Sequence, residues 1–98
     1  MNNTAGFIRS TQDMTVSTGT SELTNRDSGE HGGIFSAGQL TLNTGALNNR
    51  DGVLTGRADV TVTAGSTDNS NGILGSQSGS LGLQVNGIQN AGGLLQAQ

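Results

Sequence analysis

The feature that most constrains this chain is a repeat of about 20 residues. A Gly followed by two apolar residues occurs at Gly6-Phe7-Ile8, Gly33-Ile34-Phe35, Gly52-Val53-Leu54, Gly72-Ile73-Leu74 and Gly93-Leu94-Leu95, at spacings of 27, 19, 20 and 21 residues. An apolar-x-apolar triplet recurs in phase at Met14-Thr15-Val16, Leu40-Thr41-Leu42, Val60-Thr61-Val62 and Leu81-Gly82-Leu83. From triplet to the next Gly-apolar-apolar is 12 residues in the last three units and 19 in the first, which places a seven-residue insertion within 20–33. One such unit cannot bury its own apolar side, but copies stacked on one another can.

Each triplet alternates apolar residues with Thr or Gly, the period of a strand with one buried face. Asn and Gly clusters, such as Asn48-Asn49-Arg50-Asp51-Gly52 and Asp68-Asn69-Ser70-Asn71-Gly72, separate them and suit tight corners. No 3.6-residue apolar stripe is long enough for a helix. A third, weaker apolar position at Leu23, Leu47 and Ile88, with Thr67 departing from it, gives the unit three sides. The expected fold is all-β: a parallel β-helix of about four coils, forming one segment over 1–98 with coils starting near 6, 33, 52, 72 and 93. The unit fits a parallel β-helix better than a leucine-rich repeat, whose signature does not recur. Leu40, Val60 and Leu81 are expected in one interior column and Leu42, Val62 and Leu83 in the next. On the Gly-apolar-apolar side the expected inward pairs are Ile8/Ser10, Phe35/Ala37, Leu54/Gly56, Leu74/Ser76 and Leu95/Ala97.

Composition narrows the function. Gly, Asn, Ser and Thr make up half of the 98 residues, yet the regular apolar spacing, the absence of Pro and a formal net charge of only −3 argue against disorder. The chain has no Lys, and Arg9, Arg26, Arg50 and Arg57 are its only strong cations. That excludes the clustered positive charge on which nucleic-acid binding depends. No apolar run approaches the roughly 20 residues of a membrane span, and no signal-peptide pattern opens the chain. Absence of Cys excludes disulfides and thiolate metal sites.

Gly92-Gly93-Leu94-Leu95-Gln96-Ala97, Asp59-Val60-Thr61-Val62-Thr63-Ala64-Gly65 and Leu47-Asn48-Asn49 resemble, in order and spacing, the filamentous haemagglutinin repeat. The resemblance covers about Gly6 to Gln98. It implies a right-handed parallel β-helix within very large exoproteins exported by two-partner secretion, among them adhesins and the stalk proteins of contact-dependent growth inhibition. It also implies a secreted, cell-surface location. The chain departs from the repeat in its first-coil insertion, in the residue added within Gln77–Ser80, and in Val85-Asn86-Gly87 where Thr-Ala-Gly is usual. The stop at Gln98, inside a coil just begun, points to a fragment of a longer chain.

No residue is expected to be catalytic, to hold a cofactor or to ligate a metal. His31, beside Glu30, has no ligand set at metal-site spacing and is expected in a solvated insertion loop. Asp13 and Asp59 share a place in their coils, but Gln39 and Ser80 hold it in the others; Asp27, Asp51 and Asp68 fall in turns. A glycosidase pair would also want aromatic sugar platforms, and Phe7 and Phe35 are the only aromatics. Neither a phosphate loop nor a calcium β-roll pattern is present. Arg50-Asp51-Gly52 is not an Arg-Gly-Asp sequence. Asn25-Arg26-Asp27 and Asn49-Arg50-Asp51 are expected at corners, bonding backbone groups.

The expected function is therefore a structural shaft of a secreted surface adhesin or inhibition protein, not an enzyme. Its partners would be neighbouring coils, with a host or target-cell receptor conceivable for the parent protein. Two alternatives stand beside it: an adhesive module recognising a glycan or protein through the 20–33 insertion, and a unit that assembles end to end through uncapped strand edges.

Overall fold

The computed structural model describes residues 2–28 and 32–97. Its strands are β1 (Phe7–Ser10), β2 (Met14–Ser17), β3 (Leu23–Thr24), β4 (Gly33–Ser36), β5 (Leu40–Asn43), β6 (Leu47–Asn48), β7 (Val53–Gly56), β8 (Val60–Asp68), β9 (Ile73–Ser76), β10 (Leu81–Gln89) and β11 (Leu94–Gln96). Every pairing among them is parallel, and each strand pairs with its counterpart one circuit away. The result is a three-sided β-solenoid. Its first face is the sheet β1-β4-β7-β9-β11. On the second face β2, β5 and the leading halves of β8 and β10 stack through three steps; on the third, β3, β6 and the trailing halves of β8 and β10 do the same.

The register places like residues over like. Met14, Leu40, Val60 and Leu81 form one interior column and Val16, Leu42, Val62 and Leu83 its neighbour, as the sequence predicts. Leu40, Leu42, Val60 and Val62 are wholly buried, while the equivalent side chains in the first and last described coils are half-buried, each packed against one described coil where the inner ones are packed between two. Each fully buried Leu or Val contributes about 1.5–3 kcal/mol relative to exposure. The chain stays folded because stacking removes such groups from water at every step.

One expectation fails on the first face. Ile34 pairs with Ile8 and Leu54, and Ser36 with Ser10 and Gly56, so the inward pair in the second coil is Ile34/Ser36, not Phe35/Ala37. The doubled Gly32-Gly33 is the reason. Gly33, at φ 105, occupies the strand position of Phe7 and Val53, where an added Cβ would strike the Val53 carbonyl. The landmark glycine of this coil is therefore Gly32, and Phe35 points outward.

The 20–33 segment is also not a single excursion. It contains β3, with Leu23 and Asn25 wholly buried, so the additional residues divide between the β2–β3 corner and the stretch after Ser28. Gly29, Glu30 and His31, including the expected loop position of His31, lie outside the described residues.

Candidate functional site

The most organised polar feature is the corner between the third and first faces. Two residues beyond the third-face column stands an asparagine in each circuit: Asn25, Asn49, Asn69 and Asn90, with Asn3 opening the series. Asn25, Asn49 and Asn69 are fully buried. Their amides form one continuous ladder, each Nδ2 donating to the Oδ1 of the next: Asn3 to Asn25 at 2.8 Å, Asn25 to Asn49 at 2.8 Å, Asn49 to Asn69 at 2.7 Å and Asn69 to Asn90 at 2.8 Å. The second N–H of each amide donates to a first-face carbonyl one circuit ahead: Gly33 at 3.2 Å, Val53 at 2.8 Å, Ile73 at 2.9 Å and Leu94 at 3.1 Å. A buried amide is tolerated only with its partners supplied, and here the repeat supplies them.

Local chemistry builds this corner. Two residues after each ladder Asn the chain takes a positive φ, at Ala5 (56°), Asp27 (56°), Asp51 (54°), Asn71 (56°) and Gly92 (68°). Asp, Asn and Gly tolerate that region best. The next residue closes the turn, as when the Gly52 N–H donates to the Asn49 carbonyl at 3.0 Å and that of Gly72 to Asn69 at 2.9 Å. A Cβ on Gly52 would collide with the Asn25 carbonyl of the coil beneath, so glycine is what lets successive corners nest.

The corner after the first face uses hydroxyls and carboxylates. Ser36 Oγ lies 2.8 Å from the carbonyls of both Gln12 and Gln39 and accepts from the Gly38 N–H at 3.2 Å. Asp13 Oδ1 accepts the Gln39 N–H at 2.8 Å, and Asp59 Oδ1 the Ser80 N–H at 2.9 Å. The two carboxylates that share a place in the repeat thus clamp the main chain of the following coil, and the two do so alike. Asp27 pairs with Arg26 Nε at 3.4 Å on the surface. Hydrogen bonds from Ser70 hold the Asp68 carboxyl below its ordinary value; burial opposes this and Arg50 and Arg26 reinforce it.

Outward surfaces differ from face to face. An open groove of about 500 Å³ runs along the third face, with Glu22, Asn48, Ser66, Asp68 and Gln89 among its lining residues. On the first face Phe35 lies between two guanidinium groups, Arg9 and Arg57, each 6.0 Å from the ring centroid. Beside it runs an outward row in which Phe7 (54% exposed), Ile73 (38%) and Leu94 (45%) face solvent. Among the described residues no group of three or more His, Cys, Asp or Glu side chains is placed to hold a metal ion.

Asn25 and Asn49 are corner residues as the sequence predicts, but their side chains point inward and bond mainly to each other, a role the reading of turn chemistry misses. The signal was present: an Asn two residues after each third-face apolar position and three before the corner glycine in most coils.

No curated protein and no solved structure matches this chain. A family of repeats does match, over residues 2–80 and again over 62–98. That span takes in every strand of the stack, so the repeating corners and columns described above are the family's repeat unit as this sequence writes it. The chain belongs to the haemagglutinin repeat family.

Proposed function

We propose that this chain is a length of rigid shaft in a large secreted surface protein of the filamentous haemagglutinin type, with no catalytic role of its own. The observation that carries the reading is the unbroken ladder from Asn3 to Asn90, which runs parallel to the stacked apolar columns. Every coil is tied to the next by main-chain pairing, apolar packing and a buried amide at once. Such a stack resists bending and lengthens by about 4.8 Å per coil, the separation of paired strands. Nearly all its distinctive polar chemistry bonds coil to coil, which suits a spacer that carries other modules.

Binding assays with the 98-residue chain test this. Arrays of glycans and cell-surface proteins should register no specific ligand, and X-ray scattering should fit a rigid particle with one conformation. Specific, saturable binding that depends on residues 20–33 would overturn the spacer reading in favour of an adhesive module.

A further inference from the structure

The outward side chains divide by charge from face to face. Strands β1, β4, β7, β9 and β11 of the first face contain no acidic residue. From that face project Arg9 and, just after β7, Arg57, with the Phe35 ring between their guanidinium groups. Ile73, in a middle coil, adds an exposed apolar side chain. The third face is the reverse. Its strands β3, β6, β8 and β10 contain no Arg, and Arg26 and Arg50 lie beyond it at the corner. The groove along it is lined by the carboxylate residues Glu22 and Asp68, with the small side chains of Ala46 and Ser66 among the others. Both features lie on the flanks of the stack, which further coils above or below would lengthen without covering.

The two patterns match along the axis. Arg9 stands one coil from Phe35, and Phe35 one coil from the strand that Arg57 follows. Glu22 stands one coil from Ala46, next to the Leu23–Leu47 pair, and Ala46 one coil from the strand that ends in Asp68. Each like-charged pair therefore spans two coils, about 10 Å, with an uncharged position between. On one face that position is an aromatic ring, and on the other it is a small side chain in a groove.

We infer that the first face of one copy of this chain docks in the third-face groove of a second copy lying alongside, with Phe35 over Ala46 and the two guanidinium groups on Glu22 and Asp68. The inference rests on the shaft reading only in taking the stack as rigid, so that charges on successive coils keep their spacing. Glu22 and Asp68 accept hydrogen bonds within the chain, from Thr24 Oγ1 and from the Ser70 N–H. A carboxylate accepts several donors and a guanidinium presents five, so those bonds are compatible with an added arginine. The Phe35 ring already holds both guanidinium groups on the first face, which lowers the ordering cost of docking. The chain measures 26 × 26 × 23 Å, so one flank is near the lower limit of a specific interface and the association is weak and reversible. Each copy carries one face of each kind. The contact is therefore heterologous and continues beyond two copies.

Sedimentation velocity and thiol cross-linking of the 98-residue chain test this. The sedimentation coefficient should rise with concentration from micromolar to millimolar at low salt. That rise should shrink in about 1 M salt, where charges are screened within about 3 Å. Arg9→Gln combined with Arg57→Gln, and separately Glu22→Gln combined with Asp68→Asn, should each weaken association on the order of tenfold. The arginine variant should keep its thermal midpoint, since both side chains are exposed. The chain has no Cys of its own, so single introduced cysteines report contacts. Thr55→Cys, beside Phe35, should form mixed disulfides with Ala46→Cys in the groove and far fewer with Thr61→Cys on the second face. A chain that stays monomeric at every concentration, association unchanged in either charge variant, or cross-linking no faster to Ala46→Cys than to Thr61→Cys would each overturn the proposal. A monomer that still scatters as a rigid particle and binds no ligand would leave the shaft reading standing.

Discussion

Replacing Asn49 by Leu probes the ladder at its centre. The two side chains share a branched skeleton, so the change removes the polar bonds and puts two bulkier methyl groups in place of the amide oxygen and nitrogen, which adds crowding to the loss. Asn49 accepts from Asn25 at 2.8 Å and donates to Asn69 at 2.7 Å and to the Ile73 carbonyl at 2.9 Å. Three hydrogen bonds at about 1 kcal/mol each give a loss of about 3 kcal/mol. Asn25 keeps a bond to Val53 through its Nδ2, but Asn69 Oδ1 and the Ile73 carbonyl lose their donors in a site closed to water. Stranding buried groups raises the total to about 3–5 kcal/mol. Against a typical stability of about 5–15 kcal/mol this is a large fraction. Urea denaturation followed by circular dichroism, at low protein concentration, measures it. Thr61→Ala, on the exposed side of β8, serves as the control, with an expected loss of well under 1 kcal/mol. An Asn49→Leu loss no greater than that of the control would refute the reasoning, because it would mean that an apolar corner nests as well as the amide.

Val62→Asp places a charge in a wholly buried column and should cost several kcal/mol, seen as a collapse of the thermal midpoint. Thr67→Val should do the reverse: the Thr67 hydroxyl is buried with no hydrogen-bond partner among the described residues, and replacing it by a methyl should stabilise by about 1 kcal/mol, read as a higher urea midpoint. Because the carboxyl of Asp68 is held below its ordinary value, its contribution is present above the unfolded value of 3.8 and is lost as pH falls through the lower folded value. Asp68→Asn should flatten that acid limb of a stability–pH profile.

The solenoid was legible because its information lies in spacing. Apolar-x-apolar triplets one circuit apart can be satisfied together only by stacking, and the observed columns of Leu40, Val60 and Leu81 follow from that requirement. Register within a coil was less secure where two glycines adjoin. A strand read one residue out of phase sends every side chain to the opposite face, and Gly32-Gly33 offers two starts to the same strand. Ile34-Phe35 is apolar in both phases, so the pattern alone cannot choose. The stack chooses, since a branched aliphatic fits over Leu54 in the narrow interior while Phe35 reaches Arg9 and Arg57 outside.

The ladder was harder to see for a different physical reason. Asn is read as a turn residue because in isolation its side chain bonds nearby backbone. Burial becomes favourable only when identical amides sit one strand separation apart, so that each donor meets an acceptor of the same kind. That condition belongs to the stacked state and not to any single coil. Asn25-Arg26-Asp27-Ser28 and Asn69-Ser70-Asn71-Gly72 share only their first residue and the positive φ at their third, yet both place an amide on the same axis. What the repeat preserves at this corner is therefore a single inward-pointing Asn and a backbone shape, while the outward positions change freely. A substitution at Arg26 or Ser70 should leave the stack intact. One at Asn25 or Asn69 breaks the ladder in two, and with it the polarity that orients one coil upon the next.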